Sequence, residues 1–118
     1  MATYEKIKLS ADPKGSGKLL SGETTIHETG VSSTVLDELW LYASWSPAGT
    51  PEPTPIYLSL DNSDFRIMQN IPANSGLVLV VPGLIISGNG SNSCNVTAYD
   101  WLTVGNMTVY GYVNRITP

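Results

Sequence analysis

The period of the hydrophobic pattern limits the fold of this chain more than any other feature. Apolar residues recur at every second position, and no window carries a long apolar stripe at the 3.6-residue spacing of a helix. Val35–Trp45 sets the pattern: Val35, Leu39, Leu41, Ala43 and Trp45 fall on one face, Glu38, Trp40, Tyr42 and Ser44 on the other. Val35–Tyr42 alone fits an amphipathic helical turn, but the clean alternation that follows favours a strand. The same period predicts strands at Tyr4–Leu9 (Ile7 and Leu9 inward), Ile56–Leu60, Phe65–Ile71, Cys94–Trp101 and Met107–Ile116. In the last, Met107, Val109 and Val113 point one way and Thr108, Tyr110, Tyr112 and Asn114 the other. Leu19–Thr29 reads as one strand with Thr24, Ile26 and Glu28 opposite Thr25 and His27.

Leu77–Ile86 is apolar at almost every position. Strands without alternation are normally covered on both faces, so this one is expected at the centre of the packing, bent or split at Pro82-Gly83. Turn signals separate the segments: Asp12-Pro-Lys-Gly-Ser-Gly17, the proline-rich Ser46–Pro55, Pro72–Gly76 and the Gly/Asn/Ser-rich Ser87–Ser93. About eight short antiparallel strands at this spacing predict an all-β, single-domain β-sandwich of jelly-roll-like form. It spans residues 1–118, with residues 1–5 as a possible N-terminal docking arm.

Charge narrows the function. Six Lys and Arg stand against ten Asp and Glu, and four of the six (Lys6, Lys8, Lys14, Lys18) precede position 20. A net charge of −4 argues against a nucleic-acid surface, which needs clustered cations to neutralise phosphates. Only 14% of residues are charged, so the surface is rich in Ser, Thr and Asn or is partly covered by other proteins. The lone Cys94 excludes an internal disulfide and a cysteine metal cluster. Met1–Leu9 lacks the form of a secretory signal, and no apolar run is long enough for a membrane span; synthesis in a reducing cytoplasm is expected.

Catalytic chemistry finds no foothold. The single histidine, His27, has no recognisable nucleophile context and reads as an ordinary strand residue. Asp61-Asn-Ser-Asp64 has the look of a calcium-loop fragment but lacks the glycine and distal glutamate, so a β-turn is the better reading. Lys14-Gly-Ser-Gly-Lys18 lacks phosphate-loop spacing. Asp37, Glu38 and Asp100 are candidates for edge protection or for salt bridges to a partner. No catalytic, cofactor or metal residues are therefore expected. The residues that ask for an explanation are Trp40, Tyr42, Tyr99, Trp101, Tyr110 and Tyr112, aromatics on faces that alternation turns away from the core. They are either covered by loops or by an inverted face, or form a subunit interface, where Tyr and Trp concentrate.

The run Ile71-Pro-Ala-Asn-Ser-Gly-Leu-Val-Leu-Val-Val-Pro-Gly-Leu84, the ending Val109-Tyr-Gly-Tyr-Val-Asn-Arg-Ile116 and the strand Asp37-Glu-Leu-Trp-Leu-Tyr-Ala43 resemble small structural proteins encoded beside the capsid genes of tailed bacteriophages. The resemblance spans about two-thirds of the chain and departs from the pattern at Ser46–Pro55 and Ser87–Cys94. It implies a protein of the outer capsid surface that decorates and cements the shell. Its partners would be the major capsid protein and itself, as a homotrimer or a dimer, with no nucleic acid and no membrane. Pro72–Gly76 would be a tight turn feeding the most buried strand. The interface residues expected are Ala2, Thr3, Tyr4, Trp40, Tyr42, Pro51, Pro53, Tyr99, Trp101, Tyr110 and Tyr112, with Ser87–Ser93 as a further contact loop. Two other readings are a head-to-tail, tail or fibre-associated module, and a carbohydrate-binding sandwich using Trp40, Trp45 and Trp101 as stacking platforms.

Overall fold

The computed structural model describes residues 2–46, 53–61, 65–100 and 106–118. They form nine strands and no helix: β1 (Thr3–Lys8), β2 (Lys18–Leu19), β3 (Thr24–Glu28), β4 (Leu36–Ser46), β5 (Thr54–Leu60), β6 (Phe65–Ile71), β7 (Val78–Ile86), β8 (Asn95–Asp100) and β9 (Asn106–Thr117). Every pairing is antiparallel. One sheet has the order β1-β9-β4-β7, with β2 also beside β9; the other has the order β3-β8-β5-β6. With β2 set aside, the first strand pairs with the last and each later strand with the next one inward: β1–β9, β3–β8, β4–β7, β5–β6. The chain is one long hairpin, rolled so that successive nested pairs fall in opposite sheets.

Alternation builds the core as expected. Leu39, Leu41, Ala43 and Trp45 of β4 and Met107, Val109 and Val113 of β9 face Ile26, Ile56, Leu58, Ile71 and Val96 of the other sheet, all buried. Each such aliphatic side chain contributes about 1.5–3 kcal/mol by leaving water. β4 and β9 run to 11 and 12 residues, longer than the short strands expected, and pair in register along their whole shared length. The Asp12–Gly17 turn forms as expected: the buried Asp12 carboxylate accepts the Ser16 and Gly17 N–H groups at 3.1 and 2.8 Å.

Four expectations are corrected. Leu19–Thr29 is two elements, with Leu20–Glu23 between β2 and β3. Within β3 a register shift between Thr25 and His27 inserts one residue, which breaks the parity and sends Ile26 and His27 inward together, at 0% and 1% exposure. Residues 3–5 are not a free arm: Thr3, Tyr4 and Glu5 pair with Thr117, Ile116 and Arg115 of β9. Finally, β7 is not central. It pairs only with β4 among the described residues and forms one edge of its sheet. Val81 and Ile86 face inward, but Leu79 and Ile85 stand on the outer face at 43% and 54% exposure. The lack of alternation marks an edge strand with an uncovered apolar face, and the Pro72–Gly76 turn leads into it.

Candidate functional site

Three features compete for the role of functional site, and each grows from one position in the nested sheets. The first is polar and buried. Asp37 shares the inward parity of Leu39 and Leu41 on β4, and Arg115 of β9 lies directly across from it. Arg115 Nε donates to Asp37 Oδ1 at 2.8 Å and Nη2 to Oδ2 at 3.0 Å, a two-pronged grip. The β3 bulge brings His27 into the same place, and its Nε2 donates to Asp37 Oδ2 at 2.8 Å. Its Nδ1 accepts the Ser10 N–H at 3.1 Å, which assigns the ring proton to Nε2. Burial pushes the Asp37 carboxyl up, but the His27 and Arg115 hydrogen bonds and the guanidinium charge outweigh it and hold it at about 2. The network ties β3 of one sheet to β4 and β9 of the other.

Its chemistry is that of a latch. A histidine–aspartate pair invites a catalytic reading, yet both ring nitrogens are engaged within the protein and the imidazole is 1% exposed. A general base needs a free nitrogen facing substrate, and this one has none. Asp37 therefore serves an internal ion pair instead of the edge protection or partner contact expected of it.

The second feature is the outer face of the sheet containing β4. Trp40 and Tyr42 of β4 stand directly across from Tyr112 and Tyr110 of β9. Trp40 and Tyr112 are stacked, centroids 6.4 Å apart and planes within 10°. The Lys6 ammonium of β1 lies 5.4 Å from the Tyr112 centroid on the side away from Trp40. On the far side of Trp40, Gly83 of β7 has φ +83°, and a Cβ there would sit 3.1 Å from Trp40 Cζ2. Glu38 Oε1 accepts from Trp40 Nε1 at 2.7 Å and from Asn114 Nδ2 at 3.0 Å, which lowers the Glu38 pKa. The row Lys6–Tyr112–Trp40–Gly83 thus crosses all four strands, and the rings are half-buried against one another and their neighbours. Neither expected cover, a loop or an inverted face, accounts for them.

Tyr99 lies apart, on β8 of the other sheet beside Tyr57 at 6.3 Å. Trp45, offered as a sugar platform, is 1% exposed in the core. Tyr4 is 70% exposed on β1, and Ala2, Thr3 and Pro53 are also exposed. Pro51, Trp101 and the 62–64 part of the Asp61–Asp64 turn lie outside the described residues.

At one end, Asp61, Ser87, Asn89, Asn92, Ser93, Cys94 and Asn95 line a polar cleft of about 430 Å³. Asn89 Oδ1 already accepts the Ser91 and Asn92 N–H groups, so it shapes its own loop. Burial and, less strongly, the Asp61 charge push the Cys94 thiol up, the opposite of what a nucleophilic cysteine needs. Among the described residues no group of three or more His, Cys, Asp or Glu is placed to hold a metal.

The third feature is the side of the sandwich where β6 and β7 lie. There is no Asp, Glu, Lys or Arg between Arg66 and Asp100, a stretch that covers all of β7 and most of β6. Met68, Leu77, Leu79 and Ile85 are 43–59% exposed there, and Ile67, Val78, Val80 and Leu84 are only partly buried. The signal for this surface was present as the unbroken apolar run, which strand parity alone assigns to the interior. Comparison with known proteins gives no further bearing: no family model, no curated protein and no solved structure matches the chain.

Proposed function

We propose that this chain is a non-catalytic structural subunit that decorates and cements the capsid shell of a tailed bacteriophage, made in the host cytoplasm and bound to the outer surface of the virion. The observation that carries the reading is the nested strand order β1–β9, β3–β8, β4–β7, β5–β6. We read it as a jelly roll, an architecture that capsid and lectin domains use. The lectin branch fits less well: Trp45 is internal, and the Trp40 and Tyr112 rings pack on each other, Lys6 and Gly83. The partners are the major capsid protein and further copies of this chain. Ala2–Tyr4 and the Ser87–Ser93 loop, both largely exposed, are the segments we assign to the shell.

A cement of this kind works by adding contacts that must be broken before neighbouring capsomers separate, and a bound ligand stabilises whichever state it binds. The test is cosedimentation of the purified chain with empty heads, followed by thermal rupture. Saturable binding and a higher rupture temperature are expected. Absence of binding at micromolar concentration, or binding to tails in place of heads, would overturn the reading.

A further inference from the structure

We infer that the β6–β7 side of the sandwich is a self-association surface, and that its occupant is the same surface of a second copy, related by a two-fold axis. The argument rests on charge and on the contrast with the opposite side. Each copy carries a net −4, so two copies repel unless they meet through a region without charge. The chain between Arg66 and Asp100 is that region, and it presents Met68, Leu77, Leu79 and Ile85 exposed. At the β1–β2 edge, exposed Tyr4 and Leu19 are interleaved with Glu5, Lys6, Lys8 and Lys18, charges that guard a strand edge against pairing. A molecule with one open side and one guarded side closes after two copies, because a surface that meets itself does so across a two-fold.

Pro82 and the register shifts opposite Leu39–Trp40 and Leu41–Tyr42 interrupt β7, so a continuous main-chain ladder between copies is blocked. Side chains must therefore supply the contact. β7 is about 30 Å long at the usual strand rise, and a side of that length on a molecule this thin offers about 600 Å² per copy. That lies below the usual 800 Å² or so per partner of a stable complex and corresponds to a weak, concentration-dependent dimer. The inference goes beyond the shell reading and stands on separate residues, since the shell contacts are assigned to Ala2–Tyr4 and Ser87–Ser93.

Sedimentation velocity of the full chain from about 1 to about 500 micromolar tests it. The mass is expected to rise from 12.7 kDa toward twice that value. Leu79→Lys and Ile85→Lys should each weaken association at least about tenfold, while Leu19→Lys on the guarded edge leaves it unchanged. Circular dichroism checks that each variant is folded, and Met68→Lys on the other sheet replaces any that is not. A mass fixed at 12.7 kDa, a trimer, or sensitivity to Leu19→Lys in place of Ile85→Lys would overturn the dimer. Head binding by a chain that stays monomeric overturns the dimer alone; dimers that ignore heads support it and sink only the shell reading.

Discussion

Along the side where β1, β2 and β3 lie, the sandwich is closed by polar chemistry: His27 of β3 grips Asp37, Arg115 of β9 completes the pair, and Ser10, just past β1, donates to the imidazole. Lysines and a glutamate stud its outer strands. Along the opposite side, β6 and β7 have no ion pair and no charge within residues 67–99, and the four most exposed large apolar side chains of that half stand there. The core packs equally tightly behind both, with Ile26 on one side and Ile71 on the other at 0% exposure. Stability and association have therefore been placed in different edges, and a change at one should leave the property of the other intact.

The largest effect is expected at the latch. Asp37→Ala leaves His27 and Arg115 without their shared acceptor and should lower unfolding free energy by about 3–5 kcal/mol in urea titrations, with head binding retained by the folded fraction. A loss below about 1 kcal/mol would remove the latch from the account. Acid probes the same group. Its folded pKa of about 2 lies below the ordinary 3.8, so its stabilisation is complete above that ordinary value and is lost as pH falls through it toward 2. About 2 kcal/mol should disappear over that window in the wild type and not in Asp37→Asn.

The comparison also locates what the residue pattern made visible. Parity placed Leu39, Leu41, Ala43 and Trp45 correctly, because β4 pairs with β9 without a break. It also contained Asp37, two positions before Leu39, and Arg115, two after Val113; a carboxylate and a cation at inward positions of partner strands were the legible half of the latch. His27 was not legible, since a bulge adds one residue to one strand and reverses parity beyond it without a residue type that announces it. β7 misled for a different reason. Hydrophobic runs report a desire to be covered, and do not say whether the cover is the chain itself or another molecule. The aromatic row was legible as residues and not as geometry: Trp40 and Tyr112 are distant in sequence, and only the β4–β9 register sets them side by side.

Smaller effects sharpen the contrast. Gly83→Ala forces a side chain onto φ +83° against Trp40 and should cost about 1–2 kcal/mol, measured by thermal unfolding. A double-mutant cycle on Trp40→Ala and Tyr112→Ala should return a coupling of about 0.5–1.5 kcal/mol, since the two rings stack directly. Coupling near zero would return those aromatics to the pool of surfaces open to a partner. Smallest of all, Ile85→Lys on the apolar edge should change unfolding free energy by less than about 0.5 kcal/mol while disrupting association. A large loss of stability there would make that edge part of the fold's own support and erase the distinction between the sides.

The division between a sealed edge and an open one is tested most directly by amide hydrogen exchange at low and high protein concentration. The account predicts that protection rises with concentration in Ile67–Ile71 and Leu77–Ile86, while Thr3–Lys8 and Thr24–Glu28 exchange at unchanged rates. Protection that rises along Thr3–Lys8 instead, or nowhere, would contradict it.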